Sequence, residues 1–247
     1  MGVAQSVNAG LHAYACEMSW PTTVTELARL QEAVGAIAPD PWYPSPEGLA
    51  TAGVFVCFGR GGSGPGAQGD FGWAGASVVR DGRIIAGATV TGVAGGAYRS
   101  GYLALREGPL LEAAVRALGE PFDVLLVNAT GRDHPRRAGL ALHLGAVLGI
   151  PTIGVTHRPL LATGDPPQSD AREASGLLFL GDDLVGYWVR TRSRSRPLAV
   201  HAGWRTSPET ARSVVLLTTA ANRTPEPLRE ARRLARTARS ADSPPLG

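Results

Sequence analysis

Residues 123–157 constrain this chain more than any other stretch. They read as a strand (123–127), a turn dense in polar residues (128–137), a helix (138–148) and a second strand (151–155). A strand that returns through one helix to a parallel neighbour makes a right-handed βαβ unit, with the helix on one face of a sheet. In open α/β sheets ligands collect at the carboxyl ends of the strands. Here the first strand runs out into Asn128, Thr130, Gly131, Asp133, His134, Arg136 and Arg137. Chemistry is expected at that turn.

The segments before it set the rest of the sheet. Residues 52–58 (AGVFVCF) have the length and β-branched content of a buried strand. Residues 73–79 and 83–93 flank Arg80-Asp81-Gly82, and Asp-Gly between two apolar runs is a hairpin signal. The glycine-rich stretch 59–72 holds seven glycines in fourteen residues. It lacks the helix start that a phosphate-cradling glycine loop needs behind it, so it reads as a plain loop. Residues 23–37 and 101–118 carry helical apolar spacing, the second interrupted at Gly108-Pro109. Short strands are expected at 176–180, 184–190 and 198–201, then helices at 207–220, with Ser207 as N-cap, and 227–239. Three antiparallel strands followed by alternating helices and parallel strands give an α/β fold with an RNase H-like mixed sheet flanked by helices. Residues 18–240 read as a single domain, after a loosely ordered segment 1–17 and before a tail at 241–247.

Composition narrows the function classes. All 24 basic residues are Arg, the net charge is +3, and 44% of residues are hydrophobic. Arg suits phosphate through its bidentate fork, and the same excess also fits a solvated surface. Cys16 and Cys57 supply neither a metal spacing nor a disulfide framework. No apolar run reaches the roughly 18 residues of a membrane span. No basic, then apolar, leader opens the chain. A cytoplasmic protein without a membrane partner is expected.

Several runs resemble the endonuclease V family, the deoxyinosine-directed nucleases. They are Arg106-Glu107-Gly108-Pro109, His134-Pro135-Arg136-Arg137, Gly139-Leu140-Ala141 with His143-Leu144-Gly145, and Pro151-Thr152-Ile153-Gly154-Val155. The resemblance runs from about Ser19 to Arg236. It implies an RNase H-like fold and Mg²⁺-dependent hydrolysis of a phosphodiester near inosine, the ion held by three carboxylates. Here the first of these falls at Phe55, the second is kept as Glu107, and the third is Asn128. The family's lysine falls at His157 and its late histidine at Trp204. The strand-separating wedge retains Tyr98 but loses both of its flanking prolines, and the base loop has Ala129 for a glycine.

With one metal-binding carboxylate of three retained, no cofactor is expected, and Mg²⁺ at most through Glu107 and Asn128. The catalytic candidates are Glu107, Asp133, His134, His157, Asn128 and Cys57, which together suit acid–base or nucleophilic chemistry. The substrate-binding candidates are Tyr98, Arg106, Thr130, Gly131, Arg136 and Arg137. Each group has a structural alternative: Cys57 in the core, His134 as a cap of the turn, Glu107 and Asp133 as ion-pair partners of nearby Arg. The expectation is an enzyme that is not an ordinary nuclease and acts without a metal on a different substrate, a small molecule or a nucleic acid. Two alternatives stand beside it: a non-catalytic DNA- or RNA-binding protein, and an active endonuclease V with an unorthodox metal site.

Overall fold

The computed structural model describes residues 20–45, 48–59 and 65–242. The expected loose segment 1–17, part of the glycine-rich stretch and the last five residues lie outside these. Helix α1 spans Val24–Gly35. Its N-cap Thr23 and Glu26 close a reciprocal capping box, which satisfies two backbone donors that a helix start leaves open. Strands β1 (Ala50–Phe58), β2 (Phe71–Arg80) and β3 (Arg83–Val93) form the expected antiparallel meander. Asp81 and Gly82 both take positive φ at its tight turn. Next come α2 (Leu103–Arg116), β4 (Val124–Val127), α3 (Leu140–Leu148) and β5 (Thr152–Thr156). Strands β6 (Ser175–Leu180), β7 (Asp183–Val189) and β8 (Leu198–Ala202) precede α4 (Pro208–Leu217) and α5 (Glu226–Asp242).

Among the described residues, eight strands make one mixed sheet in the order β3-β2-β1-β4-β5-β8-β7-β6. The pairs β1–β4 and β4–β5 are parallel and every other pair is antiparallel. The parallel strands therefore sit at the centre, and their carboxyl ends share one edge. Pro109 does not break α2. It removes one helical donor, and the carbonyl this frees, that of Leu105, lies against Gly95. No described helix is long and apolar enough to cross a membrane.

Strand alternation divides β1 between two faces. Ala52, Val54 and Val56 pack with α2 residues such as Leu111 and Ala114 in the main core. Gly53, Phe55 and Cys57 face α5. The α5 backbone lies directly on the sheet because that face is small. A Cβ on Gly53 would come within 2.3 Å of the Pro227 backbone, and one on Gly75 within 2.4 Å of the Ala231 carbonyl. The Ser77 hydroxyl donates to the Pro227 carbonyl at 2.8 Å and anchors the helix start.

Candidate functional site

The carboxyl edge of the parallel strands holds a cavity of about 160 Å³. Its walls include Asn128, Ala129 and Thr130 from the end of β4, His134 from the following turn, Thr156 from β5, Gln31 from α1, and Tyr98 to Gly101 before α2. Tyr98 is 49% exposed at its mouth. The register aligns Val54 with Val127, so Phe55 and Asn128 sit side by side one residue further on. The two halves of the edge therefore meet at Asn128: the cavity on one side, α5 on the other.

Glu107 lies one turn after Leu103 on the same face of α2, and Leu103 lines the cavity. Its carboxyl makes no hydrogen bond or ion pair among the described residues. Burial pushes it up to about 7, with Arg106 pulling the other way. His157 is exposed on the rim, and burial, Arg223 and Arg232 all lower its pKa. Arg158 and Arg196 are exposed near the same edge, and Arg223 donates to the Arg196 and Pro197 carbonyls.

Several expected site residues serve the scaffold. Asp133 is fully buried, and its carboxylate accepts from the backbone N–H groups of Leu160, Leu161 and Ala162 at 2.5, 2.8 and 2.7 Å. Its imidazole neighbour is His201, at 3.7 Å, rather than His134. Burial lowers the pKa of His201, and Asp133 opposes that shift. A carboxylate occupied by three backbone donors shapes the loop after β5. His134 lines the cavity, but Nε2 meets the Gly101 carbonyl at 2.9 Å and Nδ1 accepts from the Arg136 N–H at 3.2 Å. It holds the turn while showing one ring face to the cavity.

Arg106, expected to bind substrate, is buried. It donates to the Ala67 and Gly96 carbonyls and to Asp70, and stacks 4.0 Å over Phe58. Arg136 donates to Gln31 and the Gly101 carbonyl and stacks on Tyr102. Arg137 pairs with Asp183 on the far side of its turn. Gly131 meets β8, where a Cβ would come within 2.0 Å of the Ala202 carbonyl. Cys57 is buried against Trp73 and Ala235, and its thiol points to the Ala235 carbonyl. Trp204 packs with Val34, Ala138 and Leu142 in a separate apolar cluster. These residues are taken up by packing or by hydrogen bonds and ion pairs within the scaffold. The edge retains Tyr98, Glu107, Asn128, Thr130 and His157.

Sequence reasoning passed over Arg232 and Arg236. Their Cζ atoms stand 5.0 and 5.9 Å from the centre of the Phe55 ring, and Arg232 Nη2 is 3.5 Å from Asn128 Oδ1. The signal was present as four-residue spacing on one face of the last helix.

A profile of the endonuclease V family matches residues 66–233. An endonuclease V of Methanopyrus kandleri is 42% identical over 159 residues, covering 64% of this chain and 66% of the relative, just under two thirds of its length. An endonuclease V of Streptomyces avermitilis is 35% identical over 223 residues, covering 89% and 93%. A crystal structure of the endonuclease V of Streptomyces avermitilis superposes with a TM-score of 0.80, at 33% identity, over 91% of this chain and 97% of that one. These matches overturn three expectations. A chain this close to nucleases over most of its length does not read as one diverted to a different, small-molecule substrate. Nor does it read as an enzyme outside ordinary nuclease chemistry. The expectation of no cofactor gives way as well, because the chemistry implied by the resemblance is that of a Mg²⁺-dependent family. Those expectations rested on the loss of anionic ligands at Phe55 and Asn128, whereas the matched scaffold extends over most of the chain.

Proposed function

Because the chain belongs to the endonuclease V family, we propose that it hydrolyses a phosphodiester of an inosine-containing nucleic acid strand, through a metal site with an unorthodox donor set. The observation that carries this reading is the cavity at the end of β4, with Tyr98 exposed at its mouth. An enzyme that inspects one base must take it out of the stack, and an exposed aromatic ring compensates by stacking on a neighbour. The flipped base enters between Asn128, Ala129 and Thr130 while Tyr98 covers the gap it leaves. The strand then crosses the edge rimmed by Arg158, Arg196 and Arg223. The activity belongs to one domain, residues 18–240.

The donor set fits a reduced metal site. Glu107 is a carboxyl without a partner among the described residues, and burial opposes its ionisation. Such a group gains from an adjacent cation. Asn128 Oδ1 has one long hydrogen bond, from Arg232. Phe55 offers no donor atom. Mg²⁺ is commonly held by one or two carboxylates together with waters and substrate phosphate oxygens. Glu107 and Asn128 are therefore the residues that would hold it. When bound, the ion supplies water activation and stabilisation of the leaving oxygen. The chain's own residues bind the base, stack on its neighbour and neutralise the flanking phosphates.

The test is incubation with end-labelled DNA and RNA carrying one inosine, beside inosine-free strands, in Mg²⁺ or Mn²⁺. The expected result is metal-dependent cleavage near inosine, abolished in Glu107→Gln with the fold intact. Failure to cut any of these strands with either ion at high enzyme concentration would overturn the reading.

A further inference from the structure

Helix α5 carries two pairs of Arg at four-residue spacing, and they differ. Arg229 and Arg233 are exposed and paired within the helix, to Glu226 and Glu230. Arg232 and Arg236 point to Phe55 and have no carboxylate partner among the described residues. Arg232 Nε is buried and makes no hydrogen bond among them. The side chain's one hydrogen-bond partner among the described residues is Asn128 Oδ1, at the 3.5 Å limit of a hydrogen bond. Among the described residues, the charged and polar groups that interact with it are Arg236, His157 and Asn128, none of them an acid.

A buried guanidinium N–H without an acceptor is costly, and two cations on one ring repel each other. That arrangement makes sense if an anion completes it. We propose that Arg232 and Arg236, seated on Phe55, form a phosphodiester clamp that holds the strand's phosphate beside Asn128. Phe55 then has a function of its own. Where the resemblance places an anionic ligand, its ring face holds two guanidinium groups by cation–π attraction and leaves their N–H edges free. A guanidinium edge matches two phosphate oxygens. The clamp is preorganised, because Gly53, Gly75 and Ser77 fix the α5 backbone against the sheet. The proposal rests on the functional reading that a strand crosses this edge, and it adds which side chains grip it.

The test measures binding without turnover, by anisotropy of a labelled inosine-containing single strand in EDTA across a range of salt. Arg232→Gln is expected to weaken binding about ten-fold and to flatten the salt dependence by about 0.7 in log–log slope for each phosphate that is no longer neutralised. Arg236→Gln, at an exposed side chain whose loss leaves the fold intact, moves both in the same direction. Arg232→Lys restores the slope but not the full affinity, because it keeps the charge and loses the fork. Arg83→Gln, at the opposite end of the sheet, changes neither. In parallel, inorganic phosphate is titrated while the Arg232 Nε–H resonance is followed. If the parent cuts its strand and the Gln variants bind with unchanged affinity and slope, the clamp is wrong and the functional reading stands. If no strand binds but phosphate shifts the Arg232 resonance, the arginine pair stands as a phosphate site, and the functional reading falls together with the pair's role as a strand clamp. If neither ligand is bound, both fall.

Discussion

His143 gives the most demanding test of how this molecule is packed. It lies in the middle of α3, fully buried, with neither ring nitrogen hydrogen-bonded among the described residues. Its ring stacks on Trp20 with centroids 4.9 Å apart and planes 20° apart. Burial pushes its pKa down from 6.5 to about 4, with His134 adding to the effect. The unfolded chain takes a proton near pH 6.5 that the folded chain refuses until about pH 4. Stability is therefore full above the unfolded value and falls as the pH drops through that window. A difference of 6.5 − 4 = 2.5 units corresponds to about 3 kcal/mol in all, of which about 2 kcal/mol is lost by pH 5. At pH 7.5 the ring is neutral in both states, and what remains is the cost of unmet polar atoms, roughly 1–3 kcal/mol. His143→Phe keeps the stack and removes both nitrogens. Urea unfolding should show it more stable than the parent by about 1–2 kcal/mol at pH 7.5. The gap should widen by about 2 kcal/mol at pH 5. The difference between the two proteins isolates this residue, because His201 titrates in both. A variant that is less stable at pH 7.5 and loses stability on acidification as the parent does would sink this account. It would mean that the ring nitrogens are engaged.

Two further perturbations test how the scaffold shapes the site. Asp133→Asn leaves one acceptor where the carboxylate met three backbone donors, and should cost about 2–4 kcal/mol by urea unfolding. It should also weaken strand binding, since Leu160 lines the cavity, and an unchanged midpoint would remove the loop-holding role. Gly53→Ala puts a Cβ within 2.3 Å of the α5 backbone, so the helix must move. A loss of about 1–3 kcal/mol is expected, together with weaker strand binding as Arg232 leaves Phe55. Unaltered stability would show that α5 does not rest on the sheet.

What the sequence disclosed and what it hid divide along a physical line. Period and turn chemistry are local, so the 83–93 strand, the Asp81-Gly82 turn and the Ser207 cap were all legible from neighbours in the chain. Pro109 was not, because the carbonyl it frees is accommodated by Gly95, which lies outside the helix. Asp133 was misjudged for the same reason. Next to His134 in sequence it looked like half of an acid–base pair, but its partners are the N–H groups of residues 160–162 and His201, across the sheet. Polarity marked the right turn while giving no means of telling a ligand from a strut. Arg106 shows the same limit: its neighbour Glu107 stays near the cavity, while Arg106 itself is consumed by Asp70 and two carbonyls.

Charge balance explains why the edge of the sheet is built as it is. Phe55 and Asn128 stand side by side, and neither brings a negative charge to that spot. An arginine with no counter-ion could not be tolerated beside two carboxylates without pairing to them and quenching both. Beside a ring and an amide it stays available. The Phe55 ring, the Asn128 amide and the two α5 arginines without a described carboxylate partner thus form one arrangement. Glu107, on the α2 side, has a carboxyl without a partner among the described residues, and burial opposes its ionisation. A strand bound as proposed, between α5 and α2, would meet arginine on one side and Glu107 on the other.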